Sequence, residues 1–275
     1  MRISLSSRFQ WETWIPWLSV TLLVAAIAVP LGIFSWLIFS TNIFTIQAIT
    51  VVDARPHTTE AVRSLINEEV SKLSTLFPKQ SIFFIRSKAL ENKIRSTIPQ
   101  VRTVYVSRQL PGTVKAVIQE KKPALRLLSN THYYFVDTEG TAYEEATIES
   151  LPGTVLPTVK NKDISSTVRV GSPVVAPAFV QFVLHMQEEL PKHVPAQVAE
   201  IKIPSLAARE VTFRLSNNWD IRFDSTRSTQ TQIAILDKLL NSTIPEAEKA
   251  TLEYIDLRIQ NRAYYKTTSV GSGSE

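Results

Sequence analysis

The sequence predicts an α+β protein with a single N-terminal transmembrane helix, a small β-α-α-β-β domain and a larger mixed, mainly β domain with flanking helices. Three observations predict this organisation. No residue between Glu12 and Asp53 is ionisable, and the run from Trp17 to Phe39 is strongly apolar. After that run, apolar residues recur first at strand spacing, then at helical spacing, then at strand spacing again. Beyond Pro123, short apolar segments separated by turn residues dominate the chain.

The apolar run Trp17 to Phe39 predicts a membrane-spanning helix. At about 1.5 Å of rise per residue its length is about 34 Å, and a hydrocarbon core is about 30 Å thick. Pro30 and Gly32 interrupt the run and predict a bend, which neighbouring groups can accommodate in lipid. No second apolar run of spanning length is present, so a single pass is predicted.

A cleavable signal peptide is the alternative interpretation of the same run. Ala26-Ile27-Ala28 has the small-x-small form that signal peptidase cleaves. The apolar run continues to Phe39, however, where a secreted protein would begin its polar mature chain. This continuation favours an uncleaved anchor.

Charges flanking the run predict its orientation. Arg2 and Arg8 precede it, which gives a weak basic excess on the N-terminal side. We therefore expect residues 1–14 to form a cytoplasmic tail, residues 15–42 the helix, and the remainder to be exported. The chain has no cysteine, which suits an oxidising exterior.

The exported part is long enough for two domains, and its charge is unevenly distributed. Residues 53–123 hold 13 Lys and Arg against 6 Asp and Glu, whereas residues 124–275 hold 15 against 18. A basic segment beside a bilayer is attracted to anionic headgroups, and a solvated basic face is the alternative. No aromatic-basic motif for nucleic acid is present, and export removes that partner from reach.

The small domain is predicted from five segments and the residues that end them. Pro78 and Pro99 stop the two helices, and Leu110-Pro111-Gly112 supplies a turn. The segments are a strand Ile43–Val52, a helix capped by Thr58 or Thr59 and running to about Leu76, a helix from Ser87 to Ile98, and strands Val101–Gln109 and Thr113–Lys121.

The larger domain is predicted to be mainly β, with two helices. Residues 146–177 are rich in Pro, Gly, Ser and Thr and predict connecting loops. The predicted strands are Ala124–Leu128, His132–Val136, Thr141–Glu144, Gln197–Ile203, Glu210–Leu215, Trp219–Phe223, Thr251–Arg258 and Arg262–Lys266; the helices are Ala178–Leu190 and one starting at Ser228. Residues 268–275 predict a disordered tail.

No catalytic constellation is found in the sequence. The motifs HExxH, the Walker loop, GxSxG and Ser-x-x-Lys are absent, and so is cysteine. The four histidines are not at the spacing of metal ligands. We therefore predict no catalytic residue, no cofactor and no metal site. Asp256 and Arg258, two residues apart in a strand, predict an ion pair with a structural role.

Four segments carry a resemblance to a known family. The order β-α-α-β-β after an anchor, with FTIQAITV, IPQVRTVYVSRQLPGTVKAVIQEKKPA, YYFVDTEGTAY and LEYIDLRIQNRAYYK, resembles the FtsQ/DivIB family of bacterial cell-division proteins. The resemblance covers essentially the whole exported chain. It implies a POTRA domain at residues 43–123, a β domain at residues 124–267, and a non-enzymatic scaffold at the division septum.

The resemblance also implies a partner-binding site in the last strand region, where family members bind FtsB, which travels with FtsL. An exposed final strand can capture an incoming strand by β-augmentation. Tyr264 and Tyr265 point to opposite faces; one is expected in the core and the other at the partner, with burial of both as the alternative. Carried onto this sequence, the site is Ile259, Asn261, Arg262, Ala263, Tyr264, Tyr265, Lys266 and Thr267.

Two other functions remain open at this point. The first is a POTRA-bearing component of an export or outer-membrane assembly system, although such proteins usually carry repeated POTRA units or a membrane β-barrel. The second is a membrane-anchored cell-wall enzyme, which the missing motifs disfavour.

Overall fold

The computed structural model describes residues 15–40, 42–76, 81–146, 156–260 and 262–268. Side chains are described for the same residues except 15–19, 37–40, 42 and 73–76. The predicted cytoplasmic tail and residues 269–275 of the predicted C-terminal tail lie outside the described residues. The chain divides into two compact units, residues 1–94 with 104–118 and residues 95–103 with 119–275.

The first helix, α1, runs from Ile15–Ser40 and contains Pro30. Within the part of the chain that the structure describes, no helix combines the length and the hydropathy that a membrane crossing needs. The predicted transmembrane helix is therefore not confirmed.

The predicted order β-α-α-β-β is present, and most of its residues belong to the first unit. The elements are β1 (Ala48–Val52), α2 (Pro56–Leu76), α3 (Ser87–Thr97), β2 (Val101–Gln109) and β3 (Thr113–Glu120). The sheet order is β1-β3-β2, and β1 is parallel to β3. Val62 and Ile66 of α2, Ile94 of α3 and Val114 and Ala116 of β3 are fully buried. The helices thus cover one face of the three-stranded sheet.

Two predicted boundaries in this unit are wrong. Strand β1 begins at Ala48 and not at Ile43, because Asn42–Phe44 forms a 3-10 turn before the chain becomes extended. Helix α2 begins at Pro56, so Thr58, which is buried, and Thr59 both lie within its first turn and neither precedes the helix as a cap. Proline suits a first helical turn because the N–H that it lacks would have no partner there.

The described part of the second unit is built on one ten-stranded sheet with helices. Its strands are β4 (Leu125–Ser129), β5 (His132–Val136), β6 (Thr141–Ala146), β7 (Thr158–Asn161), β8 (Ser172–Pro173), β9 (Val198–Ile203), β10 (Glu210–Leu215), β11 (Asp220–Asp224), β12 (Leu252–Asp256) and β13 (Tyr264–Thr267); its helices are α4 (Pro177–His193), α5 (Thr229–Lys238) and α6 (Glu246–Lys249). The predicted mixed, mainly β domain with flanking helices is confirmed.

The strands of this sheet lie in the order β13-β12-β11-β10-β9-β7-β4-β5-β6-β8. Among the described strands three pairs are parallel, β4 with β7, β7 with β9 and β11 with β12. The core lies between the sheet and the helices: Phe182 and Met186 of α4 pack with Phe213 and Phe223 of the sheet. Asn218, in the predicted hairpin between β10 and β11, has the positive φ that asparagine tolerates.

The prediction of loops throughout residues 146–177 is wrong for two segments. Strand β7 lies near the middle of the sheet, with Val159 fully buried, and β8 pairs with β6 at one end. Each segment is too short for the apolar pattern to repeat, so composition alone favoured a loop. Residues 147–155 lie outside the described residues.

Candidate partner-binding edge

Strand β13 ends the ten-stranded sheet. It pairs antiparallel with β12, with Asp256 opposite Tyr264 and Ile255 opposite Tyr265. Within the described residues β13 pairs with no second strand. Its outer backbone groups therefore form the open edge that the sequence predicts, and we call residues 264–267 the open edge.

The direction of the backbone groups follows from one hydrogen bond beyond the strand. The N–H of Thr268 donates to the carbonyl oxygen of Thr251 at 2.8 Å, so it points towards β12. Backbone groups alternate between the two sides of an extended strand. The N–H groups of Tyr264 and Lys266 therefore point towards β12, and those of Tyr265 and Thr267 point outwards.

The opposite end of the sheet has different chemistry. Strand β8 is only two residues long and includes Pro173, which has no N–H to donate. Proline and short strands are devices that protect an edge from pairing with another chain. The open edge is twice as long as β8 and has no proline, so it offers more backbone N–H groups to an incoming strand.

The predicted site residues lie in two groups around this edge. Ile259 and Arg262 are exposed and belong to the connection between β12 and β13, where the N–H of Arg262 donates to the carbonyl oxygen of Ile259 at 3.3 Å. Ala263 packs partly against the core. Tyr264, Tyr265, Lys266 and Thr267 form the strand itself. Asn261 lies outside the described residues.

The expectation that one tyrosine packs in the core is wrong, and so is the alternative that both are buried. Tyr264 is 47% exposed and Tyr265 is 37% exposed. Tyr265 lies opposite the fully buried Ile255, so it is on the core side of the sheet. An edge strand has a neighbour on one side only, and this leaves more than a third of Tyr265 exposed. Both faces of the open edge thus present an aromatic ring.

Lys266 is held beside the neighbouring strand. Its Nζ lies 2.6 Å from an Oε of Glu253 in β12. This hydrogen bond raises the pKa of Lys266 and lowers the pKa of Glu253, so both groups stay charged at neutral pH. Because both side chains are solvent-exposed, the pair is worth little to stability.

The predicted ion pair between Asp256 and Arg258 is present, but Arg258 lies after the end of β12 and not in the strand as predicted. Asp256 lies opposite Tyr264. The Nε of Arg258 donates to Oδ1 of Asp256 at 2.9 Å, and its Nη1 bonds to the carboxylate of Glu210. Asp256 is only 7% exposed. Burial alone would raise the pKa of Asp256, but the hydrogen bonds and charge of Arg258 outweigh burial and hold that pKa below its ordinary value. The cluster joins β10, β12 and the residues that follow β12.

One feature near the open edge was not predicted. The guanidinium carbon of Arg222 lies 4.1 Å from the centre of the Tyr254 ring, a cation–π contact. The contact depends on the parallel pairing of β11 with β12, in which Arg222 lies opposite Asp256. That pairing joins strands on either side of α5 in the sequence. It cannot be predicted from the residues next to either strand.

The described residues contain no group of three or more His, Cys, Asp or Glu side chains that could hold a metal ion. Two histidines instead have carboxylate partners. His132 contacts Glu145 at 2.7 Å, and His193 of α4 contacts Asp237 of α5 at 2.9 Å. These contacts connect β5 with β6 and α4 with α5.

Comparison with known proteins identifies both units. Residues 44–121 match the POTRA domain, FtsQ-type, and residues 126–258 match the description "Cell division protein FtsQ/DivIB, C-terminal". The open edge follows the end of the second match. The chain is also 22% identical over 185 residues to the cell division protein FtsQ of Streptomyces griseus, covering 67% of this chain and 85% of that protein.

The two matched regions follow each other in the order that the sequence predicts and together span most of the chain. The POTRA match is of the FtsQ type, so the comparisons do not favour an export or outer-membrane assembly component. The chain belongs to the FtsQ/DivIB family of cell-division proteins.

Proposed function

We propose that this chain is a non-enzymatic scaffold of the division machinery, anchored in the cytoplasmic membrane by a single span. Its short N-terminus lies in the cytoplasm, and its POTRA and β domains lie outside the membrane at the septum. Through these domains it recruits FtsB and FtsL and links them to septal peptidoglycan synthesis. The POTRA domain presents a second surface to other division components.

The observation that carries this proposal is the open edge of the ten-stranded sheet. The N–H groups of Tyr265 and Thr267 point away from β12, and Tyr264 and Tyr265 are both substantially exposed. A partner strand satisfies such backbone groups by β-augmentation, and pockets or rings beside it give specificity. Tyrosine supplies a large contact area at low entropic cost, which suits an anchor residue.

Two properties of the sequence support the membrane anchor. The run Trp17 to Phe39 carries no charge, and Arg2 and Arg8 precede it. Membership of the family is consistent with a membrane-anchored division protein. The sequence lacks known catalytic motifs, which supports a function in assembling other proteins and not in catalysis.

Co-purification tests the partner-binding site. We expect Tyr264→Lys and Tyr265→Lys each to reduce recovery of FtsB and FtsL, because a charge replaces an aromatic contact at the edge. Tyr105→Lys is the matched control, since Tyr105 is 66% exposed on β2 in the other unit. Circular dichroism verifies that all three variants fold. Undiminished partner recovery with both edge variants would remove the proposed site.

A further inference from the structure

Three segments of the first unit that contact one another each carry an exposed apolar side chain. Ile43 is 54% exposed, Phe83 is 43% exposed and Leu110 is 63% exposed. They belong to the turn before β1, the 3-10 helix Ile82–Phe84 and the turn between β2 and β3. We call these three residues the apolar patch.

Four contacts hold the three segments together. The ring centres of Phe44 and Phe83 lie 5.2 Å apart, and Thr45 forms an isolated β-bridge with Ser81. Nη1 of Arg108 donates to the carbonyl oxygen of Phe83 at 3.2 Å. The N–H of Gln47 donates to the carbonyl oxygen of Gly112 at 2.8 Å. Leu110 lies between Arg108 and Gly112, so its turn is fixed to both other segments.

The patch lies close to the end of α1 along the chain. Helix α1 ends at Ser40, and Ile43 follows three residues later. Three residues of extended chain reach at most about 11 Å. The polar layer on each side of a hydrocarbon core is about 5–8 Å thick. If α1 crosses the bilayer, the apolar patch is therefore within reach of the headgroup layer.

Basic side chains accompany the patch. Arg86 follows Phe83 by three residues and is exposed, as is Arg108. The surrounding segment, residues 53–123, carries 13 Lys and Arg against 6 Asp and Glu. Apolar side chains beside arginine and lysine are typical of surfaces that bind anionic membranes, since both groups find partners at the lipid boundary.

We propose that the apolar patch inserts into the outer headgroup region of an anionic bilayer and fixes the POTRA domain against the membrane surface. This inference rests on the single-span anchor of the proposed function. It adds a defined contact, in which Leu110, Phe83 and Ile43 enter the interface and Arg108 and Arg86 meet lipid phosphates. The contact limits how freely the domain turns about the end of α1.

Single-cysteine labelling of the full chain tests this contact, because the sequence contains no cysteine of its own. Leu110→Cys is labelled with an environment-sensitive fluorophore and reconstituted into vesicles of phosphatidylcholine with phosphatidylglycerol. Tyr105→Cys on β2 and Ile164→Cys, where Ile164 is 86% exposed, are the matched controls. We expect blue-shifted emission and quenching by shallow doxyl lipids at position 110, and neither effect at the controls.

Charge reversal tests the basic component. We expect Arg108→Glu to weaken the quenching at position 110 in phosphatidylglycerol vesicles. Arg102→Glu, an exposed arginine near the other end of β2, is the control and should leave the quenching unchanged. The inference is overturned if the vesicles retain the protein but the label at position 110 shows the same emission and quenching as the labels at positions 105 and 164.

The same preparation separates this inference from the proposed function. If alkaline carbonate extracts the full chain from the vesicles, the single-span anchor fails and the membrane contact fails with it. If the chain is retained and position 110 is quenched, but FtsB and FtsL are not recovered by the unaltered protein, the partner proposal alone fails.

Discussion

Two proline substitutions in β13 separate partner binding from folding. In Thr267→Pro, the lost N–H is one that points away from β12, as the bond from Thr268 to Thr251 indicates. In Lys266→Pro, the lost N–H points towards β12, and the ion pair of Lys266 with Glu253 is lost too. Proline is tolerated at an edge when its missing N–H faces solvent. The free chain should therefore tolerate the first substitution better than the second.

The expected magnitudes differ between the free chain and the complex. Without a partner, Thr267→Pro replaces an N–H that is hydrogen-bonded to water, and we expect a loss of stability below about 1 kcal/mol. In the complex it leaves a carbonyl of the incoming strand unpaired, which costs about 1–3 kcal/mol or about a 5- to 140-fold loss of affinity. Lys266→Pro should lower the stability of the free chain by about 1–3 kcal/mol through the broken bond to β12.

Urea unfolding measures the stability of each variant, and titration with the FtsB and FtsL partner measures affinity. The combination expected for Thr267→Pro is near-normal stability with much weaker binding. If Thr267→Pro binds as tightly as the unaltered chain, the incoming strand does not use this edge. If Lys266→Pro leaves stability unchanged, the alternation of backbone groups along β13 is incorrectly assigned.

Three further predictions concern stability. Gly112→Ala places a Cβ only 2.3 Å from the carbonyl oxygen of Thr45, so we expect a loss of about 1–3 kcal/mol in urea unfolding. Gln232→Leu removes a fully buried amide that bonds to both backbone groups of Asp224 at 3.0 Å, with an expected loss of about 2–4 kcal/mol by the same assay. Asp256→Asn should cost about 1–2 kcal/mol at pH 7. Because folding lowers the pKa of Asp256 below 3.8, that cost should disappear as the pH falls below about 4 in a series of unfolding curves.

The elements that the sequence predicts well are those with local signals. The spacing of Val62 and Ile66 predicts a helix face, and both residues are fully buried. Gly140 and Asn218 are turn residues with positive φ, as their chemistry predicts. The pair β12 and β13 is predicted because the two strands are close in sequence. In each case the interacting residues lie within a few positions of one another.

The features that the sequence does not reveal depend on contacts between distant segments. Strand β7 is central only because it pairs with both β4 and β9, and its four residues carry no pattern that predicts these neighbours. The cation–π contact of Arg222 with Tyr254 requires the parallel pairing of β11 and β12. The exposure of Tyr265 depends on how far the core extends beneath the last strand. The alternation of side chains along a strand predicts which face of the sheet a side chain lies on, but not how much of that side chain is buried.

The order of the strands gives the reason that an edge remains open at β13. From β9 to β13, each strand lies next to the one before it in sequence, so this half of the sheet extends outwards in chain order. Among the described residues β13 is the outermost strand, and at the other end of the sheet Pro173 of β8 lacks an N–H for pairing. A partner strand at β13 would take the next position in this series. It would form backbone hydrogen bonds with β13 as each strand from β10 to β13 does with the strand before it. The sheet itself would not need to rearrange.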